Sequence, residues 1–162
     1  MNCQGVEVRD GFMYIAAGSN GFYIVNATDK SDITLSSSIH VGNYARELIL
    51  EGDTVYLGAN NYFIIINITD IFNPIIRSTL HVYHDVNNLF LSNDIVYLGM
   101  NNHEMDMIDV QDLDNPKKIG AYHTPSDPRR IIVESTNAYV ATWDYNLQII
   151  DVTDPTTPFE TW

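Results

Sequence analysis

A ten-residue phrase recurs four times along this chain: IVNATDKSDI at 24–33, IINITDIFNP at 65–74, MIDVQDLDNP at 107–116 and IIDVTDPTTP at 149–158. One of its aspartates falls at Asp29, Asp70, Asp112 and Asp154, at spacings of 41, 42 and 42. A tyrosine inside an apolar triplet falls at Tyr14, Tyr56, Tyr97 and Tyr139, at spacings of 42, 41 and 42. Each of the first three aspartates stands 27 residues before the next tyrosine. Two independent markers sharing one period mean that the 162 residues are four copies of one structural unit.

Each unit reads as four short strands. The first alternates, with Val6 and Val8, Leu48 and Leu50, Leu89 and Leu91, and Ile131 and Val133 at matching places. A tight turn follows (RDGF, EGDT, SNDI, STNA), built from residues that tolerate positive φ or bond their own backbone. The second strand carries the recurrent tyrosine, whose ring is expected to pack between units. A Gly/Asn-rich loop leads to a third, nearly all-apolar strand (FYIV, FIII, MDMI, LQII), which suits a strand covered on both faces. The repeated phrase then makes the turn into the fourth strand. Asn26, Asn67, Asp109 and Asp151 can accept bonds from backbone N–H groups two residues on, and Thr28, Thr69 and Thr153 are expected to do so again. Pro74, Pro116 and Pro158 set φ just before the fourth strand.

Four short strands in every roughly 40–45 residues is the pattern of a β-propeller blade. Period-two apolar spacing and abundant β-branched residues exclude helical repeats of similar length. A parallel β-helix would need a shorter period. The fold class is therefore all-β: a propeller of four-stranded antiparallel blades, four in this chain. The expected blades are about 4–45, 46–86, 87–128 and 129–162, forming one domain over 1–162.

The stretches LQIIDVTDPTTP, AYVA and ARELILEGDTVYLG resemble the LVIVD-repeat family of β-propellers over the whole chain. Two departures stand out. Ile33 replaces proline in the first unit, and Asp106 interrupts the apolar third strand of the third. The resemblance implies a propeller of a kind often found in surface or secreted proteins. It implies no activity, because the family has no common catalytic residues to carry over.

An open set of four blades would present an apolar face at each end, and such faces mark association sites. Three readings stand: two chains pair into an eight-bladed ring, the chain is a piece of a longer one, or four blades close alone. The first is preferred. The composition is globular, 45% hydrophobic and 18% charged. No stretch has the roughly 18 apolar residues of a membrane helix. The formal charge of −13 opposes binding to nucleic acid or anionic membranes. The opening MNCQGVEVRD has no basic start or apolar run of a signal peptide. That implies an intracellular protein, or a chain lacking its natural N-terminus that belongs at the cell surface or outside. Cys3 is the only cysteine, so no intrachain disulfide forms.

In a propeller the loops from second to third strand and from blade to blade share one face around the channel mouth, the default place for a ligand. Gln4, Arg46, Asn87 and Arg129 enter the innermost strands there, as amide and guanidinium donors suited to a carboxylate or a peptide loop. The plainer reading ties Arg46 and Arg129 to carboxylates such as Asp85 and Asp127. Tyr44, Tyr83, Trp143 and Tyr145 lie on the same set of loops and are the aromatic candidates for a contact surface. His40, His81 and His123 recur, but at the end of the outermost strand, about 14 Å from the inner one, where they diverge rather than share a metal. His84 with Asp85, and His103 with Glu104, read as solvated loop residues. The NAT and NIT triplets match the glycosylation pattern, yet turn chemistry accounts for both; DVQDLD has carboxylates at alternating intervals, as calcium loops do, but lacks the glycine and the later glutamate of an EF-hand.

No phosphate loop, zinc spacing or nucleophile–base order is present. The expectation is a non-catalytic binding or scaffolding module, without cofactor, docking a protein, peptide or glycan. The alternative is a propeller hydrolase or lyase with a metal-assisted site in the channel.

Overall fold

The computed structural model describes residues 2–144 and 147–162. They form sixteen strands in four antiparallel four-stranded sheets, each with its strands in sequence order. The first sheet holds β1 (Gly5–Arg9), β2 (Phe12–Ala16), β3 (Phe22–Asn26) and β4 (Thr34–Ile39). The second holds β5 (Ala45–Glu51), β6 (Thr54–Ala59), β7 (Tyr62–Asn67) and β8 (Ile75–His81). The third holds β9 (Val86–Ser92), β10 (Ile95–Met100), β11 (Glu104–Asp109) and β12 (Lys117–His123). The fourth holds β13 (Pro128–Glu134), β14 (Asn137–Thr142), β15 (Leu147–Asp151) and the short β16 (Phe159–Glu160). The chain divides into two compact units, Met1–Tyr83 with the first two sheets and His84–Trp162 with the last two.

The tight turns behave as their residues require. Asp10 and Gly11, and likewise Asn93 and Asp94, have positive φ at both positions, the backbone of a two-residue hairpin turn. Across the third-to-fourth strand turn, Asn26, Asn67, Asp109 and Asp151 each accept a bond of 2.8–2.9 Å from the backbone N–H two residues on. The second turn is not made by the threonines. Asp29, Asp70, Asp112 and Asp154 accept from the N–H of Ser31, Phe72, Asp114 and Thr156. A carboxylate reaches further than a hydroxyl and bonds more strongly through its charge, so it takes that place. The Thr28 hydroxyl instead donates back to Asn26 at 2.7 Å. Asn26 and Asn67, the two glycosylation-like positions, thus use their side-chain oxygens inside the turn. Each of the three prolines directly precedes an outer strand, β8, β12 or β16.

Within the first unit, Tyr14, Phe22 and Ile24 of the first sheet are buried with Leu48, Leu57, Ile64 and Ile66 of the second. Within the second unit, Tyr97, Met105 and Met107 are buried with Ile131, Val133, Val140 and Ile150. Complete burial of such side chains contributes about 1.5–3 kcal/mol each. Tyr14 and Tyr97 therefore pack between sheets as expected, Tyr56 is buried, and Tyr139 of the last sheet is only half-buried.

Two departures from the apolar pattern have structural reasons. Asp106 is almost fully buried, and its carboxylate lies 2.8 Å from Lys118 Nζ on the neighbouring outer strand. Val6 and Val8, the alternating apolar residues of the first strand, are 51% and 67% exposed. Their counterpart Leu48, which faces the preceding sheet, is 1% exposed. Among the described residues no helix is long and apolar enough to cross a membrane.

Candidate functional site

Regular pairing between inner and second strands is interrupted once in each of the last three sheets. The register slips between Ala45 and Glu47, between Val86 and Asn88 and between Pro128 and Arg130. The residues at these slips are Arg46, Asn87 and Arg129. A bulge re-aims the side chain of its extra residue and sharpens the local twist. Three of the four polar positions singled out from the repeat are thus bulge residues. Gln4 stands just before β1, where its backbone N–H bonds to the Ala16 carbonyl at 2.8 Å.

In the first unit the loops at this end are tied to each other. Gly18 and Ala45 exchange backbone bonds of 3.0 Å, and the Asn60 N–H donates to the Tyr44 carbonyl at 3.0 Å. Gly18 has φ +58, and a Cβ there would meet the Tyr44 ring at 3.1 Å, so glycine is what allows the ring to lie on this loop. The Arg46 guanidinium sits over the other part of that surface, 5.3 Å from the ring centroid. The Tyr44 hydroxyl accepts from Asn2 Nδ2 at 2.7 Å, and Gln4 Nε2 donates to Asn2 Oδ1 at 2.8 Å. Gln4, Tyr44 and Arg46 are therefore one connected group. Tyr83 is not part of it. Its ring meets His81 at the end of the outer strand, 4.5 Å between centroids, and His81 meets Tyr62 at 5.0 Å. Asn61 Nδ2 and His81 Nε2 are 2.8 Å apart, which completes a separate, largely aromatic rim cluster. Tyr83 is exposed and holds a positive φ of 66°.

In the second unit the matching loops are joined by Asn101 N–H to the Asp85 carbonyl and by Trp143 N–H to the Asp127 carbonyl, both 3.0 Å. The Trp143 backbone bond holds the indole beside the bulge, and the Arg129 guanidinium lies 3.6 Å from the ring centroid. Both side chains are exposed. Asp127 is engaged elsewhere: its carboxylate accepts from the His103 backbone N–H at 3.2 Å and lies 3.4 Å from His103 Nε2. The proposed tie of Arg129 to Asp127 gives way to an arginine–indole stack, favourable because the weakly hydrated guanidinium plane fits the ring face. Asn87 is half-buried beside Asn88, whose side chain the sequence reading passed over. Asn88 is 2% exposed, and Oδ1 accepts from the Ile131 N–H at 2.8 Å. Ser126 and Thr124 were also passed over. The Thr124 hydroxyl donates within the loop, to the His103 or Ser126 carbonyl, and Ser126 Oγ accepts from the Asp144 N–H. Only their neighbours in space mark them, since isolated Asn, Ser and Thr in loops carry no spacing signal. Tyr145 lies outside the described residues. Among the described residues no three of His, Cys, Asp and Glu converge as metal ligands.

The arrangement presents planar cations stacked on aromatic faces, at loop ends held by backbone bonds. Such surfaces bind carboxylates through the guanidinium and flat or apolar groups through the ring.

The crystal structure of the computationally designed Ika4 protein superimposes with a TM-score of 0.75 at 10% identity, covering 91% of this chain and 89% of that one. The likeness shows the fold, a β-propeller of four-stranded antiparallel blades with four blades in this chain. The LVIVD repeat matches residues 2–41, 42–80 and 127–161, and the chain belongs to the LVIVD-repeat family. No curated protein matches it.

Proposed function

We propose that the protein is a binding module that docks a carboxylate-bearing peptide segment of another protein on its bulge-side loops. The reading rests on one observation: Arg46 and Arg129, both bulge residues on inner strands, each lie over an aromatic ring, Tyr44 and Trp143. A bulge re-aims the arginine and the ring orients it, so a ligand meets a pre-placed cation at reduced entropic cost. Charge supports the same reading. The chain carries 21 acidic against 8 basic residues, and two of those 8 stand at these positions. An acidic surface repels anionic ligands generally, so a guanidinium held over an aromatic ring is a place where one is attracted. Tyr83 and its rim cluster add a further aromatic contact.

The test is a peptide-array and glycan-array comparison of wild type with the triple variant Arg46→Ala, Tyr83→Ala, Trp143→Ala. Acidic peptides are expected to be retained by the wild type and lost by the variant. Undiminished binding by the variant overturns the site assignment. Retention of neutral glycans instead of acidic peptides replaces the ligand class while keeping the surface.

A further inference from the structure

Blades pack front to back, and the repeat identifies which side chains do it. The face turned to the following blade carries Tyr14, Phe22 and Ile24 in blade one and Tyr97, Met105 and Met107 in blade three, all buried. In blade four the same places hold Tyr139, Leu147 and Ile149, with Ile132 on the inner strand. Leu147 is 50% and Ile132 48% exposed. The face turned to the preceding blade is covered in blade two and in blade four, where Ile131 and Val133 are buried. In blade one the corresponding Val6 and Val8 are exposed, while Ile15, which pairs with Val6, and Val25 are buried. Stacked repeats bury such faces against a neighbouring unit.

We infer that a second copy of this chain covers both faces, blade four of each copy packing on blade one of the other to give an eight-bladed assembly. The occupant follows from the repeat. The two open faces are the two halves of an interface the chain already makes between blades one and two and again between blades three and four. A second copy presents both halves in the right chemistry. The contact can be placed by analogy. Phe90 of blade three packs in the cluster that holds Val133 of blade four. Ile132 stands at the Phe90 place and Val8 at the Val133 place, so Ile132 of one copy meets Val8 of the other. This inference is independent of the ligand reading.

The first experiment is light scattering of wild type behind a sizing column. A mass twice the chain's 18.4 kDa is expected. A mass of one chain overturns the inference. The second uses Val8→Lys and Ile132→Glu, both at exposed positions where the chain's own core is untouched. Each alone is expected to run as a single chain. Their equimolar mixture is expected to regain the dimer, because one interface then pairs Lys with Glu and the other is native. Dimers in either variant alone, or no recovery on mixing, would show that other surfaces associate.

Discussion

Asn88 Oδ1 accepts a 2.8 Å hydrogen bond from the backbone N–H of Ile131, joining the inner strands of blades three and four inside the protein. Ile131 is fully buried, so its N–H has no water to turn to. Asn88→Ala therefore leaves a donor orphaned and is expected to cost about 1–3 kcal/mol. Urea unfolding followed by circular dichroism measures it. A loss within error of zero would mean that the bond is not needed to hold these blades together.

Gly120 on β12 faces the Pro155 carbonyl of the next blade, and a Cβ there would stand 1.9 Å from the oxygen. Blade one meets the same situation differently: the Ser37 hydroxyl, at the matching place, donates to the Ile71 carbonyl at 2.6 Å. Gly120→Ala has to push the outer strand from the turn of blade four. The expected cost is about 1–3 kcal/mol, the range of overpacking. Ser37→Ala, which only deletes a partly buried bond, is expected to cost about 1 kcal/mol. Thermal melts of the two variants side by side test the ordering.

Stability should respond to pH through two opposed sets of carboxylates. Burial raises the pKa of Asp106 above its ordinary 3.8, and Lys118 only partly offsets that. The folded state then holds its proton longer than the unfolded state, so this group lowers stability as pH rises from 3.8 towards the folded value. Asp29, Asp70, Asp151 and Asp154 have pKa values below 3.8 because turn bonds favour their charged forms, and their contribution is lost as pH falls. Asp106→Asn removes the first effect alone. Its stability relative to wild type is expected to increase from pH 4 upward and then level off. A difference independent of pH would show that Asp106 ionises normally.

What could be read from residues alone is what the chain does locally. A turn in which Asp151 accepts from the N–H of Thr153, or a proline that precedes β8, β12 and β16, needs only a few consecutive residues. The same holds for the strands, because alternation and turn residues constrain short stretches whatever surrounds them. Even the polar entry positions Arg46, Asn87 and Arg129 were legible as a repeat. That they are bulge residues was not, since a bulge is defined by the partner strand.

Tertiary structure decided the rest, because it depends on which side chains from distant sequence come to face each other. Val6 and Leu48 occupy the same place in the repeat, and only the neighbouring blade makes one exposed and the other buried. Asp106 looked like a flaw in a strand until Lys118 stood beside it. Arg129 had an acidic neighbour in sequence, yet it stacks on Trp143, because the loop between β14 and β15 carries the ring to the bulge while His103 takes the carboxylate. A periodic sequence repeats its local bonds faithfully. The burial, charge and partners of each copy are set by the copy that lies against it.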